Sequence, residues 1–125
     1  MAVISNVRLS ASKPSNTSNL WKLEVLYDAS FGSGEVGDRF RGTFEVWEDD
    51  DFFDDQVTST PQGPQDFVAT ATKMKDLKLK TTIDGDFLDT ELGAEEIYVI
   101  ARLKSLDSLG VPDATATSAV MPIAP

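Results

Sequence analysis

Alternation with a period of two runs through most of this chain, and it admits few folds. In LWKLEVLYDASF (20–31), Trp21, Leu23, Val25 and Tyr27 share one side. Lys22, Glu24 and Asp28 take the other, where Leu20 and Leu26 interrupt the polar run. Successive side chains of a strand point to opposite faces, so this pattern is a strand with one face buried. In RFRGTFEVWED (39–49), Phe40, Phe44 and Val46 alternate with Arg39, Arg41, Thr43 and Glu45. Gly42 falls on the inward side, where a bulge or a closely approaching neighbour is expected. In EEIYVIARLKSL (95–106), Ile97, Val99, Ala101 and Leu103 oppose Tyr98, Ile100, Arg102 and Lys104.

Weaker strand patterns fill the rest. They lie at 3–12, at 67–75 and 77–83 (rich in threonine and valine), and at 115–123, where Pro122 suits an edge or a strand end. Polar and glycine- or proline-rich segments separate them: KPSNTSN, a hairpin-type turn at GSGEVGD, STPQGPQ, DGD and LGVPD. The one helical candidate, LDTELGAEE (88–96), is short and is interrupted by Gly93. The expectation is an all-β chain: a single β-sandwich of about seven mostly antiparallel strands spanning residues 1–125. The succession of a B-like strand with Trp21, a C-like strand with Phe44 and an F-like strand with Tyr98 resembles the immunoglobulin outline, without its cysteine pair.

What is missing from the composition restricts chemistry. The chain has neither cysteine nor histidine. That excludes disulfides, Ser-His-Asp and Cys-His catalysis, and zinc held by imidazole or thiolate. Catalysis would have to use carboxylates, lysine, tyrosine or an oxygen-held metal. The 21 acidic residues against 11 basic ones give a net charge of −10. Nucleic acid and anionic lipid both demand a basic face, so neither is an expected partner. No run of about 18 apolar residues exists to cross a membrane. The opening MAVISNVRLSAS lacks the features of a secretory leader, so the cytoplasm is the default compartment.

The densest feature is WEDDDFFDDQ (47–56), with six carboxylates between residues 48 and 55. Calcium takes six to eight oxygen ligands, and Asp49, Asp51, Asp54 and Asp55 are the candidate donors from a curled loop. Asp84, Asp86 and Asp89 would add to them if their turn lies at the same end. The spacing does not meet the EF-hand pattern. A solvated loop guarding an edge strand is the simpler expectation. Phe52 and Phe53 cannot both point inward from an extended segment, so one of them is a candidate contact for a partner. Trp47 lies on the polar side of its strand, as a sugar-binding platform would. The four lysines of KMKDLKLK (73–80) suit an edge strand, and they could also meet the acidic loop of a second copy.

These residues point to a non-catalytic interaction or structural module acting through a surface or a sheet edge, with a protein partner or self-association. The alternatives are a calcium-binding module using loop 48–55 and a carbohydrate-binding module. A glycosidase-like pair of carboxylates needs a cleft, for which a small sandwich has little material, so an enzyme is not expected.

Overall fold

A computed structural model describes residues 1–13, 20–49, 54–58, 60–84, 95–108 and 110–123, with the backbone alone for Asp55 and Glu95. Nine strands are found among them: β1 Val3–Ser12, β2 Leu20–Ser30, β3 Arg39–Glu48, β4 Asp55–Gln56, β5 Gln62–Val68, β6 Lys73–Asp84, β7 Glu95–Ser105, β8 Ala114–Thr117 and β9 Met121–Ile123. Every pairing is antiparallel. One sheet runs β1-β2-β6. The other runs β4-β3-β7-β8, with β5 also on β3 and β9 also on β7. The chain is a β-sandwich. Its strand order places β1, β2 and β6 against β3, β7 and β8, as the immunoglobulin outline places A, B and E against C, F and G.

The alternating residues read from the sequence close the core. Leu23, Val25, Tyr27, Phe40, Phe44, Val46, Ile97, Val99, Ala101 and Leu103 are all buried between the sheets. Phe31, Phe40 and Phe67 plug one end, with ring centroids 4.8 to 6.3 Å apart. Gly42 has the close neighbour that its inward position implied. A Cβ there would lie 2.6 Å from the Tyr27 hydroxyl oxygen. Burial pushes the Tyr27 phenol up to about 12.

Four expectations need correction. GSGEVGD is not a hairpin, because β2 and β3 lie in different sheets. Its short 3-10 turn at Ser33–Glu35 carries the chain across the sandwich instead. STPQGPQ is only partly a breaker. Gln62 to Gln65 belong to β5, whose Gly63 has φ +62° and passes so close to Lys80 that a Cβ would lie 3.0 Å from that residue's carbonyl oxygen. The 67–75 and 77–83 segments do not form two strands. Residues 67–68 end β5, and 73–84 form one strand. Finally, 115–123 is divided into β8 and β9, with Ser118 between them donating its backbone N–H to the Val99 carbonyl. The helical candidate 88–96 lies outside the described residues up to 94, and Glu95 and Glu96 begin β7.

The continuity of β6 has a specific cause. Asp76 has φ 57°, and the pairing slips by one residue between Tyr27–Leu77 and Ala29–Met74. A bulge resets the alternation, so Met74 and Leu77 both turn inward. Lys73, Lys75, Lys78 and Lys80 all stay exposed on an edge strand, as their sequence suggested. A second bulge lies opposite, in β1, where Asn6 has φ 52°. Asn and Asp are the non-glycine residues that best tolerate this left-handed conformation.

Asp28 of β2 ties the two bulges together. Its carboxylate accepts from Asn6 Nδ2 (3.1 Å), from the Asp76 backbone N–H (3.1 Å) and from Arg8 (3.2 Å), which also reaches Asp76 (3.0 Å). These bonds, the Asp76 N–H first, hold the Asp28 carboxyl below the usual carboxylate range. A depressed folded value contributes stability above the unfolded pKa, and that contribution is lost as pH falls through the folded one. Asp28→Asn is therefore expected to melt below wild type at neutral pH. The gap should narrow as pH drops below about 4 in a series of thermal melts. A gap that is constant with pH would mean that the carboxylate charge does not hold the bulges.

Candidate functional site

The outer face of the six-stranded sheet gathers more chemistry than any other described surface. In β3, Phe40, Gly42, Phe44, Val46 and Glu48 face the core, which leaves Arg41, Thr43, Glu45 and Trp47 outside. In β7 the same alternation puts Tyr98, Ile100, Arg102 and Lys104 outside. The β3–β7 register sets Trp47 directly opposite Tyr98, Glu45 opposite Ile100 and Thr43 opposite Arg102. The Trp47 and Tyr98 rings lie 12° from parallel with centroids 6.5 Å apart, and both residues are partly exposed.

Each ring is steadied at its polar tip by a carboxylate. Trp47 Nε1–H donates to Glu45 (3.2 Å), and the Tyr98 hydroxyl donates to Asp54 (2.6 Å). Burial raises the Tyr98 phenol to about 12, assisted by the Asp54 hydrogen bond and the charges of Asp54 and Asp49. Beyond Glu45, Arg102 reaches its other oxygen (3.5 Å) and also Asp113 (3.8 Å). Further along, Arg41 forks onto Asp66 of β5 (2.7 and 3.0 Å), and Arg39 holds Asp107 (2.8 Å). Both arginines thus find acids on neighbouring segments. They hold the Asp66 and Asp107 carboxyls low.

The acidic stretch is divided between different surroundings. Glu48 turns into the core with 2% of its surface exposed, so it does not belong to a solvated loop. The Asp49 backbone N–H donates to the Glu96 carbonyl, which extends the β3–β7 ladder by one bond. Asp54 serves Tyr98, and the backbone of Asp55, in β4, lies in register with Glu48 of β3. Asp51, Phe52 and Phe53 lie outside the described residues, as do Asp86 and Asp89. The ends of β3 and β6 and the start of β7 do share one pole of the sandwich, the placement that Asp84 needed in order to join the loop. Among the described residues no group of three carboxylates is gathered closely enough to hold a metal ion.

Comparison with protein-family models, with curated proteins and with solved structures found no match. The site must therefore be read from its own residues. Among the described residues no helix is long and apolar enough to cross a membrane. A groove of about 350 Å³ runs between β1 and β8–β9, lined by Val7, Leu9, Val120, Met121 and Pro122 beside Arg8. It stands apart from the aromatic pair.

Of the sequence candidates, the structure brings Trp47, Asp49 and Asp54 together, and the residue that joins them is Tyr98. In the immunoglobulin outline a tyrosine on an F-like strand can form a tyrosine corner, whose hydroxyl bonds to backbone. Here the hydroxyl seeks a carboxylate instead. The signal was present in its parity: Tyr98 is an aromatic on the polar side of its strand, as Trp47 is on its own. Their adjacency depends on register, which parity does not contain.

Proposed function

We propose that this chain is a non-catalytic interaction module that binds through the outer face of its larger sheet, at Trp47 and Tyr98. The observation that supports this reading is the side-by-side placement of two partly exposed aromatic rings on adjacent central strands. Tryptophan and tyrosine supply large contact area at small entropic cost and are enriched where proteins bind. An isolated outward tryptophan is ordinary, but two parallel rings held at their tips by carboxylates form a prepared surface. Glu45 and Asp54 serve here as holders of the rings.

The test is an array of defined peptides and oligosaccharides probed with the wild-type chain and with Trp47→Ala, after thermal melts establish that the variant is folded. The expected result is at least one ligand bound by wild type and lost in the variant. Ligands bound equally by both, or no binding at all, would overturn the reading.

A further inference from the structure

The chemistry around the two rings selects among the partners an aromatic face can take. Both polar tips are already committed, Trp47 Nε1–H to Glu45 and the Tyr98 hydroxyl to Asp54. What remains to offer is the ring faces. A ring that donates to an anion gains π-electron density, and the negative face of an aromatic attracts a cation within about 6 Å. Asp49 adds a third negative charge, close enough to act on the Tyr98 hydroxyl. Arg102 stands at the side of Glu45 away from Trp47 and is shared with Asp113. Among the described residues, the carboxylates of Glu45, Asp49 and Asp54 lie beside the pair, on a chain whose net charge is −10. A neutral sugar could stack on the rings and donate its hydroxyls to the carboxylates, but only a guanidinium or ammonium also gains from the net negative charge.

We infer that this face takes the basic side chains of a protein segment, an arginine or lysine stacking on Trp47 or Tyr98 with its charge held by Asp54 and Asp49. The inference rests on the reading of this face as the binding surface, and it adds the chemistry of the partner. Arginine is the preferred residue. Its planar guanidinium stacks on a ring while its edge hydrogen-bonds a carboxylate, which an ammonium cannot do at once.

Isothermal titration calorimetry on the full chain tests it with three probes: a peptide alternating arginine with serine, its glutamate–serine counterpart, and cellohexaose. The arginine peptide is expected to bind and the glutamate peptide not to. Asp54→Asn should weaken binding about tenfold, as should Trp47→Leu, which keeps apolar bulk and removes the ring. Glu24→Gln removes the same charge from the other sheet and should leave affinity unchanged.

Equal weakening by Asp54→Asn and Glu24→Gln would overturn the inference, because it would reduce the effect to bulk charge attraction. Binding of cellohexaose but not of the peptide, abolished by Trp47→Leu, would overturn the partner and keep the face. Peptide binding indifferent to both Trp47→Leu and Asp54→Asn would overturn face and partner together. No binding by any probe would overturn the inference.

Discussion

Phe44→Ala is expected to remove about 3–5 kcal/mol of stability. Phe44 has no exposed surface. It sits at the middle of β3, paired with Ala101 of β7 on one side and with Gln62 of β5 on the other. A Cβ on Gly63 would lie 2.9 Å from its ring, so the β5 backbone is already packed against the ring. Two sheets held apart by their other side chains cannot collapse into the space that truncation leaves, which is why the cost includes a cavity as well as lost transfer energy. A domain of this kind has about 5–15 kcal/mol in total, so the loss is a large share of it. Urea unfolding followed by circular dichroism measures it directly. A loss under about 1 kcal/mol would mean that the core is not packed around this ring.

Gly42→Ala should cost about 1–3 kcal/mol, and the cause should be one oxygen atom. The new methyl would stand 2.6 Å from the Tyr27 hydroxyl oxygen but 3.5 Å from the ring carbon that carries it. Removing that oxygen with Tyr27→Phe turns a clash into ordinary contact. Leu79, at 3.2 Å, remains a tight neighbour. In the Tyr27→Phe background the same Gly42→Ala change is therefore expected to be near neutral, since alanine also loses less backbone entropy than glycine on folding. A double-mutant cycle from four urea curves reads the coupling. Equal costs in both backgrounds would show that the hydroxyl is not what keeps position 42 a glycine.

Much of this architecture was legible residue by residue. The alternation in 20–31, 39–49 and 95–106 picked out three central strands with ends that match to within a residue, and it picked out which side of each is buried. It also placed Arg39, Arg41 and Trp47 on the outside. Segments with broken alternation were read less well, for a physical reason. KMKDLKLK changes parity at Asp76 because a left-handed residue inserts a bulge there, and a pattern of period two cannot distinguish that bulge from a strand boundary. QGPQ looks like a loop because glycine and proline favour turns, yet edge β5 accepts both: Pro64 lacks a donor, and Gly63 needs φ +62° to pass Lys80.

The sequence by itself determined the three central strands, their buried faces, the charge of the molecule and the chemistry it lacks. All of these depend on neighbours two residues apart or on composition alone. Only the tertiary structure decided that Trp47 lies beside Tyr98, that Asp49 and Asp54 lend their charge to that pair while Glu48 turns inward, and that Asp28 locks two bulges from separate strands. These relations join residues 20 to 70 positions apart, and they follow from which strands pair and in which register. Register is set by the simultaneous burial of every inward face and by the bulges that shift it, so it arises only when the two sheets close on each other.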